Sequence, residues 1–393
     1  MPTLDIPLAA ALLASPLATA GAGSFVADEL YLVSSGVPNP AGSPAFGSGV
    51  LHIDPLTGAS DVVAMLPLGL WGPAAFLDHR SATYDPARDR IVIHLVTTSD
   101  LVTVRADGSH ALIDVAWDAV PFRLAPDGQG RIFMSSGTKL GYLDAQDMVH
   151  DLLDVDGITP LTFPEINSTR AMIFDAASNS LIVAAALPAF QTTFYRFPLS
   201  ADRTQAVAPP VKVVHDLAPS TSEIVEGLSR GPEGTIFIGV DVNSNGNQPL
   251  LQLLEPQTLA VSIFSTCNYS FTAAQTGGTW SSLLGKGLAA DHSNQVVRMW
   301  SEGQGGAGTV LATGTGVGDS VRLLAIGETV AGTDVSVPTP GDLDGDGDVD
   351  GADLGLLLGA WGPCADCAAC PGDLDGDCQV DGADLGLLLG AWT

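Results

Sequence analysis

Between residues 25 and 330 the chain alternates short β-branched or aromatic runs with turns of Gly, Asp, Asn and Pro, and two strand–turn–strand patterns recur. The first is read in YDPARDRIVIH (84–94), LAPDGQGRIFMS (124–135), FDAASNSLIVAA (174–185), LSRGPEGTIFIG (228–239) and LAADHSNQVVRMW (288–300), where a turn leads into an apolar strand. The second is read in LHIDPLTGASDVVAM (51–65), VTVRADGSHALIDV (102–115), GYLDAQDMVHDLLDV (141–155) and QLLEPQTLAVSIF (252–264), and more faintly in YRFPLSADRTQAV (195–207) and VLATGTGVGDSVRLLAI (310–326). Period-two alternation bounded by turn-forming residues predicts strands.

Two hairpin types in alternation amount to about six units of roughly fifty residues, four strands to a unit. Such a unit cannot bury both of its faces alone, and radial stacking buries them all. The expected fold class is therefore all-β: a β-propeller of about six four-stranded blades over 25–330. A β-sandwich would not require two hairpin types to alternate. The strand ELYLVSS (29–35) is expected in the last blade, closing the ring. No WD dipeptide ends the units, so the pattern points to propellers in general.

At residue 341 the pattern changes. GDLDGDGDVDGADLGLLLGAWG (341–362) is repeated as GDLDGDCQVDGADLGLLLGAW (372–392), each an acid-packed loop followed by a leucine-rich segment. The segments are predicted helical, with Leu354, Leu357, Leu358 and Trp361 on one face, and Leu385, Leu388, Leu389 and Trp392 repeating them. Calcium takes six to eight oxygen ligands, which a twelve-residue loop supplies from positions 1, 3, 5, 7, 9 and 12. In the first copy these are Asp342, Asp344, Asp346, Asp348 through its carbonyl, Asp350 and Asp353; in the second they are Asp373, Asp375, Asp377, Gln379 through its carbonyl, Asp381 and Asp384. Position 6, where the loop turns with positive φ, is Gly347 in one copy and Cys378 in the other. Two Ca2+ ions are expected, and because so many carboxylates repel one another, ion binding should supply folding energy.

At this point 341–393 resembles a type I dockerin: two loop–helix units, Asp at position 12, and no helix before the loop. The resemblance implies calcium binding and docking onto a cohesin-like or other scaffold protein, with a cargo that is often a polysaccharide-degrading enzyme. Positions 10 and 11, which set partner choice in that family, are Gly351-Ala352 and Gly382-Ala383 here, where hydroxyl residues are usual.

Charge sharpens this division. The chain carries a net −29, of which the twelve Asp of 341–393 hold −12 with no Lys or Arg beside them. AGTDVSVPTP (331–340) reads as a linker across the break. An acidic balance argues against nucleic acid and against an anionic membrane surface, both of which need basic patches. The apolar run from residue 6 to 20, ending in Ala18-Thr19-Ala20, reads as a secretory signal peptide over 1–23. No later apolar run is long enough to span a bilayer, so an extracellular protein, secreted or attached at the cell surface, is expected. Four of the five cysteines, Cys364, Cys367, Cys370 and Cys378, lie in the C-terminal module with Cys267 apart. Their spacing is open to disulfides, to a metal site or to free thiols. Secretion favours disulfides, in any of three pairings.

Catalytic chemistry is less legible. Asp78-His79-Arg80, His215-Asp216 and Asp291-His292 are candidate loop clusters, although neighbours on a strand point to opposite faces. DVNSNGN (241–247) has calcium-like offsets at Asp241, Asn243 and Asn245, but Gln252 stands at position 12 and Asn245-Gly246 is a hairpin turn. GQGGAG (303–308) precedes no helix and is read as a loop. No nucleophile elbow, zinc-protease motif or phosphate loop is present. Two functions remain: a propeller that binds an extracellular glycan or protein, carried by the calcium module; or a carbohydrate-active enzyme, a glycoside hydrolase or polysaccharide lyase, carried the same way. An acidic cluster at the propeller mouth would favour the second.

Overall fold

The computed structural model describes residues 24–41, 46–67, 77–96, 100–115, 117, 123–136, 139–162, 168–186, 192–215, 223–242, 248–267, 278–291, 294–315, 321–326, 351–363, 372 and 378–390. Blade 1 contains β1 (Leu30–Pro38), β2 (Phe46–Ile53) and β3 (Ser60–Met65). Blade 2 is β4 (Leu77–Asp85), β5 (Arg90–Leu95), β6 (Asp100–Val104) and β7 (His110–Ile113). Blade 3 is β8 (Arg123–Pro126), β9 (Ile132–Ser136), β10 (Lys139–Leu143) and β11 (Val149–Asp151). Blade 4 is β12 (Ser168–Asp175), β13 (Ser180–Ala186), β14 (Thr192–Pro198) and β15 (Val211–His215). Blade 5 is β16 (Glu223–Arg230), β17 (Ile236–Val242), β18 (Gln248–Leu254) and β19 (Val261–Cys267). Blade 6 is β20 (Thr279–Ser281), β21 (Lys286–Asp291), β22 (Val296–Trp300) and β23 (Thr309–Thr313), after which β24 (Val321–Ala325) returns to blade 1.

Six four-stranded antiparallel sheets result. Their first strands touch in sequence, β4 to β8, β12, β16, β20, β24 and back to β4, so the ring closes. This is a six-bladed propeller. The apolar pattern follows from position in the blade. Second strands are mostly buried, β5 from end to end, whereas outer strands such as β7 and β15 are largely exposed. The core is correspondingly a ring of five clusters between blades. Blades 4, 5 and 6 share Phe194, Phe237, Phe264 and Trp300; blades 3 and 4 share Phe133, Phe174 and Phe197; the remaining three clusters join blades 1 to 2, 1 to 6 and 2 to 3.

One glycine shows how tight this stacking is. A Cβ on Gly287 of blade 6 would stand 2.5 Å from Phe237 Cζ and 3.0 Å from Phe264 Cε1, rings of blade 5 that meet edge to face. Overpacking of this kind costs about 1–3 kcal/mol. Gly287→Ala should therefore lower the denaturant midpoint without altering the slope of the transition, measured by tryptophan fluorescence.

Ion pairs staple the blades at the end opposite the interblade connections. Arg88 and Arg90 of blade 2 both bind Asp85 of their own blade and Asp147 of blade 3, at 2.5–3.0 Å. Arg203 of blade 4 reaches Asp127 of blade 3 at 2.8 Å and lies over the Phe174 ring.

The strand at 29–35 sits in the blade that closes the ring, beside its innermost strand β24. Three other expectations need correcting. The segment 288–300 is the second hairpin of its blade, β21–β22, because the first is formed by β20 and β21 around a turn at 282–285. Residues 310–326 are not a hairpin: β23 and β24 belong to different blades. After β14 the strand returns only at β15, so 195–207 holds one strand and a long connection tied by a Leu199–Ala206 bridge.

Closure carries a proton-sensitive contact. His52 of β2 donates from Nδ1 to Asp61 and from Nε2 to Glu29, both at 2.8 Å, and the Glu29 carbonyl accepts the Ile326 amide just past β24. Burial lowers the imidazole pKa, but its hydrogen bonds to Asp61 and Glu29 outweigh that, and the net shift is upward. The stabilisation is therefore complete below the unfolded value near 6.5 and fades as pH rises through the folded value. His52→Gln should lower the melting temperature by about 1–2 °C at pH 5.5 and by less at pH 8.5, read by differential scanning calorimetry.

The described part of the C-terminal region forms α1 (Gly351–Gly359), α2 (Gly382–Gly390) and a two-residue pairing of β25 (Gly362–Pro363) with β26 (Gln379–Val380). The two helices touch, and Leu357, Leu388 and Val380 are fully buried. The expected apolar face differs from the observed one. Leu354 and Leu385 are half-buried, but Leu358, Leu389 and Trp361 are about half exposed, as are Leu356 and Leu387. Trp392 lies outside the described residues. No helix among the described residues is long and apolar enough to cross a membrane.

Candidate functional site

The six first strands surround an axial channel. Its walls are Ser81, Ala82 and Thr83 of β4, Arg123 to Pro126 of β8, Ala171 to Ile173 of β12, Leu228 and Ser229 of β16, and Arg322 and Leu324 of β24. The channel is narrow: water centres can occupy about 40 Å³ of it. Three of these strands are bulged in their N-terminal halves. In β12 the register slips between Thr169 and Ala171, leaving Arg170 as the extra residue; in β16 it slips between Val225 and Gly227, leaving Glu226. In β4 the slip falls between Asp78 and Thr83, so four residues, His79 to Ala82, face the single Ile93 of β5. A bulge breaks the ladder and bends the strand, and bulges recur beside functional sites. Each bulged segment includes a charged residue in sequence, and the channel wall itself holds Arg123 of β8 and Arg322 of β24. We take this mouth as the candidate site.

Arginines span the channel. Arg123, which is 4% exposed, donates from Nε to the Arg170 carbonyl on the neighbouring first strand. Arg322 donates from Nη2 to the Leu228 carbonyl at 2.9 Å, reaching from β24 to β16 past β20. Both acceptors are backbone carbonyls, and these bonds help to fix the guanidinium groups in place. His94 of β5 is fully buried beside the mouth: it is opposite Asp78 in register, and its amide donates to Ser81 Oγ at 3.0 Å.

Of the sequence clusters, Asp78-His79-Arg80 therefore falls on a bulged first strand at the mouth. The other two do not reach it. His215 ends β15, where its Nε2 bonds the Leu259 carbonyl of the next blade at 2.7 Å. Asp291 is fully buried and accepts from Asn294 and Arg298 at 2.8–2.9 Å, a structural role. Asp216 and His292 lie outside the described residues. In 241–247, Asn243 and Asn245 do so as well, while Gln252 stands inside the ladder opposite Ile238, as a plain hairpin requires. The segment 303–308 lies in the connection between β22 and β23. Arg123, Arg170, Glu226, Arg322 and His94 had escaped sequence reasoning. A lone charged residue just before or within each apolar first strand was the available signal.

No solved or curated relative supplies chemistry for this mouth. No family model matches the chain, and no curated protein matches it. Among solved structures it is similar to a selenomethionine form of virginiamycin B lyase from Staphylococcus aureus, at 9% identity and a TM-score of 0.39 over 56% of this chain. The matched part spans 65% of that lyase. It is also similar to a catalytically inactive form of the same lyase with quinupristin (8% identity, TM-score 0.42, 70% of this chain and 83% of that one) and to a streptogramin B lyase (11%, 0.41, 69% and 84%). At this level the likeness bears on neither substrate nor reaction.

Of the expected calcium ligands, Asp342, Asp344, Asp346, Asp348, Asp350, Asp373, Asp375 and Asp377 lie outside the described residues. The other four are placed. Asp353 and Asp384 occupy the third position of α1 and of α2, and both are fully buried. Asp381 precedes α2 as its N-cap, accepting the Ala383 amide at 2.8 Å, while Asp384 reaches back to the Asp381 amide at 2.7 Å. This reciprocal arrangement is a capping box. Gln379 is exposed on β26. Cys378, at loop position 6, has φ +72°, the left-handed backbone anticipated there. Among the described residues no group of three or more His, Cys, Asp or Glu gathers as a metal centre.

Proposed function

We propose that the protein is an extracellular ligand-binding propeller carried on a calcium-folded C-terminal docking module. The observation that carries the binding reading is the axial channel, whose wall holds Arg123 and Arg322 and three of whose surrounding first strands are bulged. Bulges are costly departures from the ladder, and blade stacking alone does not call for them.

The calcium reading is supported by Asp353 and Asp384, two buried carboxylates at equivalent helix positions, and by positive φ at Cys378. Carboxylates buried at 0% exposure need compensation, which backbone amides supply in part and a divalent cation supplies more fully. A disulfide at Cys378 would be in keeping with an oxidising compartment. The half-exposed Leu356, Leu358, Leu387, Leu389 and Trp361 are suited to a cohesin-like or other scaffold partner.

A second reading, a glycoside hydrolase or polysaccharide lyase, draws on Asp78, Glu223 and Glu226, which lie along the N-terminal halves of β4 and β16. One experiment separates them. Full-length protein with calcium is screened against polysaccharides, recording bound polymer and released reducing or unsaturated ends. Binding without release is expected; release that Glu226→Gln abolishes would make it an enzyme, and the absence of both binding and release would remove polysaccharide from consideration.

A further inference from the structure

A wider cleft opens at the end of the propeller opposite the channel mouth, where three connections of blades 3 and 4 meet. They are the turn from β8 to β9, the turn from β10 to β11 and the connection from β14 to β15. Water centres can occupy about 330 Å³ of this cleft, against about 40 Å³ of the axial channel. Sites for small ligands run to ~300–1,000 Å³, so the cleft has the room that the channel lacks. Its lining is polar. Gln129 and Arg131 come from the first turn, Asp144 and Gln146 from the second, and Asp202 and Arg203 from the third.

The charged groups are held in place before any ligand arrives, which lowers the cost of binding. Asp144 accepts the Gln146 and Met148 amides at 2.9 Å on Oδ1, and its Oδ2 meets His150 Nε2 at 2.8 Å. Asp202 accepts the Ser200 and Thr204 hydroxyls at 2.6 and 3.0 Å. Arg131 donates to the Asp202 carbonyl and lies over the Tyr142 ring, while Arg203 is fixed by Asp127 and the Phe174 ring. The Gln129 and Gln146 side chains are exposed and make no hydrogen bond among the described residues.

This mixture selects a class of ligand. A carboxylate only accepts hydrogen bonds and a guanidinium only donates them, whereas a hydroxyl does both. A simple cation in the cleft would face two guanidinium groups, and a simple anion would face the carboxylates. A neutral ligand with several hydroxyls meets both kinds of wall. We propose that this cleft binds one residue of a neutral sugar, with neighbouring hydroxyls bridging carboxylate, guanidinium and amide groups of the three connections. The inference rests on the reading of the propeller as a ligand-binding domain and puts a sugar subsite away from its axis.

The probes are methyl β-glucoside, methyl β-galactoside and methyl α-mannoside, titrated against the full-length protein with calcium and followed by ligand-observed NMR. At least one is expected to bind. The double variant Gln129→Ala, Gln146→Ala should weaken it about tenfold, the loss of two ordinary hydrogen bonds. Because neither amide bonds to the fold, the melting temperature of that variant should stay where it is. A glycoside that the double variant binds in full would overturn the cleft site while leaving the propeller a binding domain. Binding of none of the three would overturn it as well, and a polysaccharide held by the protein would then still support the propeller reading. Butylammonium or inorganic phosphate displacing the glycoside with equal affinity would also overturn it, since one sign of charge would then suffice.

Discussion

Ending the chain at residue 320 should abolish the cooperative thermal transition of the propeller, while ending it at 340 should leave that transition in place. The shorter protein loses β24, whose register with β1 runs from Leu30 opposite Ala325 to Ser34 opposite Val321. Leu323, Leu324 and Ala325 are 0–3% exposed, and two interblade clusters, those joining blade 1 to blades 2 and 6, lose members with them. Each buried leucine contributes about 1.5–3 kcal/mol of burial energy. The clusters would open to water and β1 would become a bare edge. Because the total stability of a domain is only about 5–15 kcal/mol, losing a whole strand exceeds what the ring can spare. Calorimetry on the two truncations decides it: a sharp transition in the 320 protein would mean that five blades and a remnant suffice.

The second large effect concerns the C-terminal module. Removing calcium with a chelator should unfold α1 and α2, seen as lost helical ellipticity, and adding calcium at about a hundredfold over its dissociation constant should restore about 2.7 kcal/mol of stability. Two substitutions separate metal binding from capping. Asp384→Asn keeps an oxygen that can accept the Asp381 amide, so a cap alone would survive, whereas Asp384→Ala costs about 1 kcal/mol as a lost cap. As a calcium ligand, Asp384 is expected to make both variants equally poor in calcium response at the second site. A wild-type calcium response in Asp384→Asn would reduce the buried carboxylate to a helix cap and set the calcium reading aside at that loop.

How far the fold could be read in advance depended on where its information lies along the chain. Hairpins such as 84–94 and 124–135 were legible because turn residues and alternating strands are adjacent in sequence. The β1–β24 pairing was harder, since Leu30 and Ala325 meet only after the whole ring has formed and no local pattern records it. Residues 288–300 misled because the turn after Asp291 resembles the turn after Asp85, though it follows a second strand. The mouth was legible only at Asp78-His79-Arg80. Arg123, Arg170, Glu226 and Arg322 sit singly in four separate blades, and a bulge is a property of the pairing partner as much as of the bulged strand. In the C-terminal repeat, the structure puts Asp353 and Asp384 at equivalent positions of the two helices and Cys378 at positive φ. The helix face was misjudged because a nine-residue helix packing chiefly through one leucine leaves its flanking leucines in water.

The antiparallel pairing of β1 with β24 also decides how this ring would respond to mechanical load. The start of β1 and the end of β24 lie side by side, with Asp28 and Glu29 bonded to Ile326 as the outermost rungs. A pull between residue 24 and residue 326 would therefore peel the ladder open from that end, breaking its bonds one after another. Had the strands been parallel, the same pull would have sheared all the rungs together, a far stronger arrangement. If the C-terminal region is tethered and the N-terminal end is drawn away, blade 1 should yield first and at low force.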